Sequence, residues 1–98
     1  MRIVAKRALV EFYTKHSGAK TALEEWHKKT KKAKWLNFAD VKKTFRSADF
    51  VGNGRVVFNI KGNDYRLVAL ILFTVGMVYI RFVGTHDEYD NIIDIKTL

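Results

Sequence analysis

Residues 55–84 carry an alternating apolar pattern broken by two glycine-containing turns, and this pattern restricts the chain to few folds. Gly62-Asn63 is a strong two-residue hairpin signal, and Val75-Gly76 marks a second turn. The pattern predicts a three-stranded antiparallel meander over residues 55–84. Because side chains in a strand point alternately to two faces, the two turns also decide which residues share a face.

Two-residue loops at both turns would pair Asn59 with Arg66 and Leu70 with Arg81. On this register one face of the sheet is wholly apolar and requires a cover of helices. That face collects Val56, Phe58, Ile60, Tyr65, Leu67, Ala69, Ile71, Phe73, Val78, Ile80 and Phe82. The opposite face collects Arg55, Asn59, Lys61, Arg66, Tyr79 and Arg81 among Val57, Val68, Leu70 and Val83.

The first fifty residues have the spacing of helices. Leu9, Phe12 and Tyr13 form an apolar stripe at i, i+3 and i+4, and a short strand at Ile3 and Val4 is compatible with the pattern. A capping box at residues 85–88 opens a tail helix over 86–95. We therefore expect one α+β domain over residues 1–98, with helices packed on one face of a small antiparallel sheet and a short C-terminal helix.

Positive charge is concentrated in the first half of the chain. The formal net charge is +8, and residues 1–50 hold thirteen of the 18 basic residues but only five of the ten acidic ones. A dense basic run comprises Lys28, Lys29, Lys31, Lys32 and Lys34. Such a surface attracts polyanions such as RNA, DNA or an acidic protein. The alternative is a lysine-rich helix that is merely solvated.

Several classes of protein are excluded by composition. The chain has no cysteine, which rules out a disulfide scaffold, a cysteine zinc site and thiol catalysis. Its most apolar stretch, residues 67–80, is too short to span a bilayer, which takes about 20 residues. His16 and His27 lack metal-ligand spacing, so no metal or other cofactor is expected. We expect a soluble cytoplasmic protein.

The polar face of the predicted sheet suggests a phosphate site. Arg66 and Arg81 lie on adjacent strands, and guanidinium groups match phosphate oxygens in geometry. On a helix that starts near Thr85, His86 and Tyr89 share a face, and this face begins close to Arg66. A base, an acid and two cations around one phosphate are what metal-free RNA cleavage needs. The alternatives are solvated arginines and a structural histidine beside a helix cap.

Two segments resemble the HigB branch of the RelE-like toxins. They are residues 57–68, VFNIKGNDYRLV, and residues 79–90, YIRFVGTHDEYD. Residues 3–12 and 35–45 resemble it as well, so that the similarity covers nearly the whole chain. The resemblance implies a type II toxin: a ribosome-dependent endoribonuclease that cuts translated mRNA and is neutralised by a cognate antitoxin.

The resemblance also implies roles and partners. The family's basic strand residues would fall on Lys61, Arg66 and Arg81, and its tail residues on His86 and Tyr89. The partner would be a helix-turn-helix antitoxin of the HigA type, with operator DNA bound only through the toxin–antitoxin complex. Asn59 and the lysine run would contact RNA. Two rival interpretations are a non-catalytic RNA- or ribosome-binding module and a degenerate toxin that acts only as the partner of an antitoxin.

Overall fold

The computed structural model describes residues 1–98 and contains five strands, four α-helices and three short 3-10 turns. The strands are β1 (Arg2–Val4), β2 (Asp49–Gly52), β3 (Arg55–Ile60), β4 (Tyr65–Leu72) and β5 (Met77–Thr85). The α-helices are α1 (Lys6–Lys15), α2 (Lys20–Lys32), α3 (Phe38–Thr44) and α4 (His86–Asp90). The 3-10 turns are Ser17–Ala19, Phe73–Val75 and Ile95–Thr97. None of the helices combines the length and the apolar character that crossing a membrane requires.

The predicted α+β architecture is confirmed, with a larger sheet than expected. The strands form one sheet in the order β1-β5-β4-β3-β2, and β3, β4 and β5 make the antiparallel meander. β1 adds to β5 in parallel, and β2 pairs antiparallel with β3. The alternation pattern predicts no strand at β2, which has four residues and a register shift between Phe50 and Gly52. A short, irregular edge strand has too few alternating positions to be recognised.

The helices cover the apolar face of the sheet. α2 buries Leu23, Trp26 and Thr30 at positions separated by three and four residues, the spacing of one helix face. The Trp26 ring packs edge-on against Phe58 of β3 with centroids 5.4 Å apart, and Leu9 of α1 is fully buried in the same core. Asn37 caps α3 by accepting a hydrogen bond from the Asp40 amide at 3.0 Å. Burial of this apolar surface is the main stabilising contribution of the helix layer.

The first hairpin has the predicted register, but its loop is longer. Asn59 pairs with Arg66 and Val57 with Val68, while residues 61–64 form a four-residue turn. Lys61 and Gly62 both have positive φ angles, of 53° and 65°, in this turn. A loop lengthened by one residue on each side keeps the same cross-strand pairs, and the faces of β3 and β4 are therefore as predicted.

The register predicted for the second hairpin is wrong. Leu72 pairs with Met77 and Leu70 with Tyr79, because residues 73–76 form a four-residue turn that Gly76 closes with a φ of 69°. A two-residue loop at Val75-Gly76 would place β-branched Val75 at a position that requires positive φ, where its side chain is strained. The slip is two residues, so it leaves Tyr79 on the polar face.

A bulge in β5 changes the faces beyond that point. Ile80 pairs with Ala69 and Phe82 with Val68, which leaves Arg81 without a partner in the ladder. Phe82 therefore lies on the face opposite the helices, and Val83 packs against the core instead, the reverse of the predicted arrangement. Bulges of one residue commonly redirect side chains in this way.

The C-terminal segment covers part of the polar face. α4 ends at Asp90 instead of continuing to residue 95, and the chain then crosses toward β2. Arg55 donates hydrogen bonds from Nε and Nη2 to the Leu98 carbonyl at 3.2 and 2.6 Å, and Asn53 donates to the Lys96 carbonyl at 3.0 Å. On this face, away from the helix layer, Val57 and Val68 are also buried.

Candidate active site

Arg66 lies on the polar face of β4, between Asn59 of β3 and Gly84 of β5. Its Nη1 donates to the Asn63 carbonyl at 3.1 Å and to the Tyr65 carbonyl at 3.2 Å. Its guanidinium carbon lies 5.9 Å from the centre of the Tyr89 ring, within the range of a cation–π contact. These contacts leave Nε and Nη2 without a partner in the protein, and both remain available for an anion.

Tyr89 is placed on α4 by a complete capping box. Thr85 Oγ1 accepts from the Glu88 amide at 3.2 Å, and Glu88 Oε1 accepts from the Thr85 amide at 2.8 Å. The capping box predicted at residues 85–88 is thus confirmed. Because α4 has only five residues, these two bonds satisfy a large share of its free backbone groups. They therefore fix the start of the helix and the orientation of Tyr89.

The environment of Tyr89 favours its neutral phenol. Partial burial raises the pKa of Tyr89 above its usual value, and the Asp49 carboxylate raises it further. The Arg66 guanidinium acts in the opposite direction, and Asp90 adds a smaller upward contribution. Asp49 belongs to β2 and pairs with Val57, which puts it on the same face of the sheet. The result is a protonated hydroxyl beside a cation.

Gly84, which pairs with Arg66, leaves room for the Phe82 ring because it has no side chain. A Cβ at this position would lie 2.4 Å from Phe82 Cζ and 3.1 Å from Glu88 Oε1. The Phe82 ring thus takes up the volume above Gly84, and its centroid is 6.5 Å from that of Tyr89. The Phe82 ring therefore packs beside Tyr89 in space that a side chain at residue 84 would block.

Arg81 occupies the bulge of β5 and is exposed. Its guanidinium carbon lies 5.4 Å from the centre of the Tyr79 ring. Arg81 and Arg66 are therefore on adjacent strands of one face, as predicted, but each contacts its own tyrosine. Phe82, which pairs with Val68, lies between them along the strands. Leu70 faces Tyr79 rather than Arg81.

The His86 imidazole pairs with Asp90 and makes no hydrogen bond to either arginine. Its Nε2 lies 3.3 Å from Asp90 Oδ2, one helical turn further along α4. Its backbone amide donates to the Asp64 carbonyl at 3.2 Å. The imidazole makes no hydrogen bond with Arg66, Arg81 or Tyr89 and lines a separate open pocket. The structure thus brings Tyr89 to Arg66, whereas the His86 imidazole pairs with Asp90.

The two remaining strand residues differ in position. Asn59 is exposed beside Arg66, and its side chain has no hydrogen-bonding partner in the protein. Lys61 lies in the β3–β4 turn and reaches toward the helix layer: a Cβ on Gly18 would be 3.3 Å from Lys61 Nζ and 3.5 Å from Tyr65 Oη. Lys61 is therefore not adjacent to Arg66 in this arrangement.

The lysine run belongs to the helix layer, on the opposite side of the sheet from Arg66. Lys28, Lys31 and Lys32 line an open groove of about 730 Å³. The other residues of the groove are Lys6, Lys20, Thr21, Glu24, Glu25 and His27. Lys29 instead pairs with Glu25 at 3.7 Å. We refer to Lys28, Lys29, Lys31 and Lys32 as the basic α2 surface.

Four residues of this region are not predicted as functional from the sequence: Asp49, Phe82, His16 and Tyr65. Asp49 raises the pKa of Tyr89 and Phe82 packs near its ring. Their positions depend on the edge strand β2 and on the bulge in β5, and neither feature is visible in the alternation of apolar and polar residues. His16 stacks on Phe12 and meets Tyr65 edge-on with centroids 6.1 Å apart. The structure contains no group of three or more His, Cys, Asp or Glu side chains arranged to hold a metal ion.

Comparison with known proteins identifies relatives along most of the chain. A family model described as HigB_toxin, RelE-like toxic component of a toxin-antitoxin system, matches residues 19–92. The chain is 33% identical over 92 residues to the mRNA interferase toxin HigB of Escherichia coli K12, which covers 92% of this chain and 88% of the relative. The mRNA interferases HigB of Escherichia coli O157:H7 and Shigella flexneri match with the same identity and coverage.

Proposed function

The chain belongs to the HigB family of RelE-like toxins, as its sequence predicts, and from this premise we propose that it is a toxin that cleaves translated mRNA on the ribosome. The observation that carries the proposal is the pair of Arg66 and Tyr89 on the open face of the sheet. A guanidinium with two free nitrogens and a protonated phenol can serve one phosphodiester group as cation and proton donor.

The chemistry that fits these groups is an internal transesterification. A base removes the proton of the 2′-hydroxyl, and the resulting oxygen attacks the neighbouring phosphorus. The bond from phosphorus to the 5′-oxygen breaks, and an acid protonates that oxygen as it leaves. The products are a 2′,3′-cyclic phosphate and a 5′-hydroxyl. Arg66 and Arg81 stabilise the extra negative charge of the crowded intermediate.

The environments of the two tail residues divide the proton transfers between them. Tyr89 is a protonated phenol at neutral pH, and its raised pKa keeps it from acting as the base, which leaves it the role of the acid that protonates the 5′-oxygen. His86 then takes the part of the base, with Asp90 Oδ2 at 3.3 Å to orient its imidazole. Asn59 on β3 and Lys61 in the β3–β4 turn assist by contacting the RNA strand.

The basic α2 surface is proposed as a docking surface for ribosomal RNA. It lies on the helix layer, away from Arg66, so that one side of the molecule can bind the ribosome while the other faces the mRNA. Lysine–phosphate contacts release counterions, and the affinity should therefore fall steeply as salt rises. Lys28, Lys31 and Lys32 line an open groove with no hydrophobic residue, as expected of a surface that binds a solvated polyanion.

The partner that controls this activity is proposed to be a helix-turn-helix antitoxin of the HigA type. Family membership supports an antitoxin, since the family is described as one component of a toxin–antitoxin pair. Contact with operator DNA would occur through the complex. Co-expression of a cognate antitoxin should restore growth, and the antitoxin should co-purify with the chain.

The deciding experiment is primer extension on an mRNA in a translating extract, with the wild type, Arg66→Ala and Tyr89→Phe. Arg7→Ala is the matched control, because Arg7 is an exposed arginine on α1 that pairs only with Glu11. We expect new 5′ ends that require translation and that are lost in the two site variants only. Stalled translation without new ends would support the non-catalytic module, and the absence of any effect would support the degenerate toxin.

A further inference from the structure

The structure contains a second polar pocket beside the proposed active site. It is open, has a volume of about 390 Å³, and lies where the end of α1, the β3–β4 turn and the start of α4 meet. His16 lines it from the first segment, residues 63–65 from the second and residues 85–87 from the third. We call it the His16 pocket. Sites for small ligands typically have volumes of 300 Å³ or more, so this one can hold a single flat group.

We propose that the His16 pocket binds one nucleobase of the RNA strand, with His16 as its stacking partner. The proposal rests on the proposed function, because it supplies that function with a base-recognition site. Phe12 stacks on one face of the His16 ring, with centroids 4.4 Å apart and 18° between the planes. His16 can therefore offer its remaining face and edge to the pocket, and Tyr65 adds a second aromatic wall. Any of the four bases can stack on aromatic side chains of this kind.

The polar groups of the pocket favour bases that carry an amino group. Asp64 and Asp87 accept hydrogen bonds but cannot donate them, and neither carboxylate has a partner in the protein. Two carboxylates repel a phosphate, so the group that enters must be the neutral base. Adenine, cytosine and guanine each present an amino group with two hydrogens to such acceptors, whereas uracil offers only its single N3–H. The pocket should therefore discriminate against uracil.

The β3–β4 turn connects the His16 pocket to Arg66. Asn63, in the wall of the pocket, accepts from Arg66 Nη1 through its carbonyl, and the Asp64 carbonyl accepts from the His86 amide. The pocket and the guanidinium thus lie on the two sides of one four-residue turn. A base held by His16 belongs to a nucleotide next to the one whose phosphate Arg66 contacts. Binding in the pocket would then select which phosphodiester is cut.

Nuclear magnetic resonance can test this without any cleavage. The imidazole signals of the three histidines would be followed while the trinucleotides AAA, CCC and UUU are added. We expect saturable shifts at His16 and His86, with AAA or CCC bound about tenfold more tightly than UUU. His27 reports separately on the basic α2 surface, because it lines that groove.

Variants identify the stacking partner. His16→Ala should weaken binding about tenfold, His16→Phe should retain it, and Asp87→Asn should reduce the preference for amino-bearing bases. Thr14→Ala is the control, because Thr14 is exposed in the last turn of α1, two residues before His16, and bonds only to the Val10 carbonyl. Shifts confined to His27, or equal affinity for His16→Ala and the wild type, would overturn the proposal.

The outcome is separable from that of the nuclease assay. Cleavage without binding at His16 refutes the pocket and leaves the nuclease in place. Binding at His16 in a protein that does not cleave refutes the nuclease and keeps the pocket as an RNA-binding site. In an active protein, His16→Ala should also flatten the distribution of cut positions, whereas His16→Phe should preserve it.

Discussion

The Arg66 guanidinium lies above the Tyr89 ring, with 5.9 Å between its carbon and the ring centre, and it is held there by backbone carbonyls on one side only. Nη1 makes both of those bonds, to residues 63 and 65. The other two nitrogens point to no acceptor in the protein. This arrangement fixes a cation without neutralising it, as a site that stabilises a phosphate in its transition state requires.

Arg66→Ala should abolish most of the cleavage, and Arg66→Lys should restore little of it. A lysine keeps the charge but lacks the planar fork that matches two phosphate oxygens. We expect a loss of about 100- to 1,000-fold in cleavage rate for the alanine variant, the range typical of one electrostatic donor in an active site. The measurement is primer extension in a translating extract, with circular dichroism to verify the fold. Cleavage by Arg66→Lys equal to that of the wild type would contradict a bidentate role.

The pKa of Tyr89 offers a test of the acid role. A negative neighbour disfavours the phenolate, so removing the Asp49 charge in Asp49→Asn should lower the pKa of Tyr89. In the wild type the phenol should stay protonated between about pH 6 and 9, because its pKa lies above the usual value near 10. Titration of the Tyr89 ring carbon by nuclear magnetic resonance measures both effects.

Tyr89→Phe completes this test, because it removes the proton and keeps the ring under Arg66. Cleavage should fall by about 100-fold or more, the usual contribution of a general acid. Tyr13→Phe is the control, since Tyr13 lies on α1 and bonds to Glu24 at 2.9 Å. Equal losses in the two variants would show that the Tyr89 hydroxyl has no specific part.

The sequence predicts one half of the site well and the other poorly, for a physical reason. The first hairpin carries a glycine at its turn and a regular alternation on both strands, so Arg66 falls on the correct face opposite Asn59. The bulge at Arg81 leaves no comparable signal. Phe82 and Val83 are both apolar, and either can face the core without breaking the binary pattern.

Contacts between distant segments were beyond prediction. Asp49 and Tyr89 are forty residues apart in the chain, yet the charge of Asp49 acts on Tyr89 because β2 and α4 both lie at the polar face of the sheet. His16 reaches the pocket of His86 only because α1 ends above the β3–β4 turn. Local periodicity contains no information on the proximity of Asp49 to Tyr89 or of His16 to His86, since both depend on how the elements are placed in three dimensions.

Gly84→Ala should destabilise the protein and disturb the site. The added Cβ would lie 2.4 Å from a carbon of the Phe82 ring, which is closer than packing allows. We expect a loss of about 1–3 kcal/mol in the free energy of unfolding, as for other overpacked positions. Gly18→Ala is a matched control, because its Cβ would meet only the flexible end of Lys61 at 3.3 Å and Tyr65 Oη at 3.5 Å. Chemical denaturation measures the difference, and equal stabilities would argue against a packed ring at Phe82.

Thr85→Ala should lower activity by loosening α4. The substitution removes the hydroxyl that accepts from the Glu88 amide, a cap worth about 1 kcal/mol. The helix has five residues, so the loss should disorder Tyr89 more than it weakens the domain. Thr85→Ser, which keeps the hydroxyl, is the control. Hydrogen exchange of the α4 amides gives the readout, and unchanged protection in Thr85→Ala would contradict the role of the capping box.

Replacing lysines of the basic α2 surface should weaken binding to ribosomes without changing the chemistry at Arg66. In the triple variant Lys28→Gln, Lys31→Gln, Lys32→Gln, the slope of log affinity against log salt should decrease by about two to three, because each phosphate contact contributes about 0.7–0.9. The control triple, Arg7→Gln, Lys15→Gln, Lys43→Gln, removes the same charge from other exposed positions. Ribosome co-sedimentation over a series of salt concentrations provides the slopes. If both triples reduce the slope equally, net charge alone accounts for the affinity, and the groove on α2 has no special part in docking.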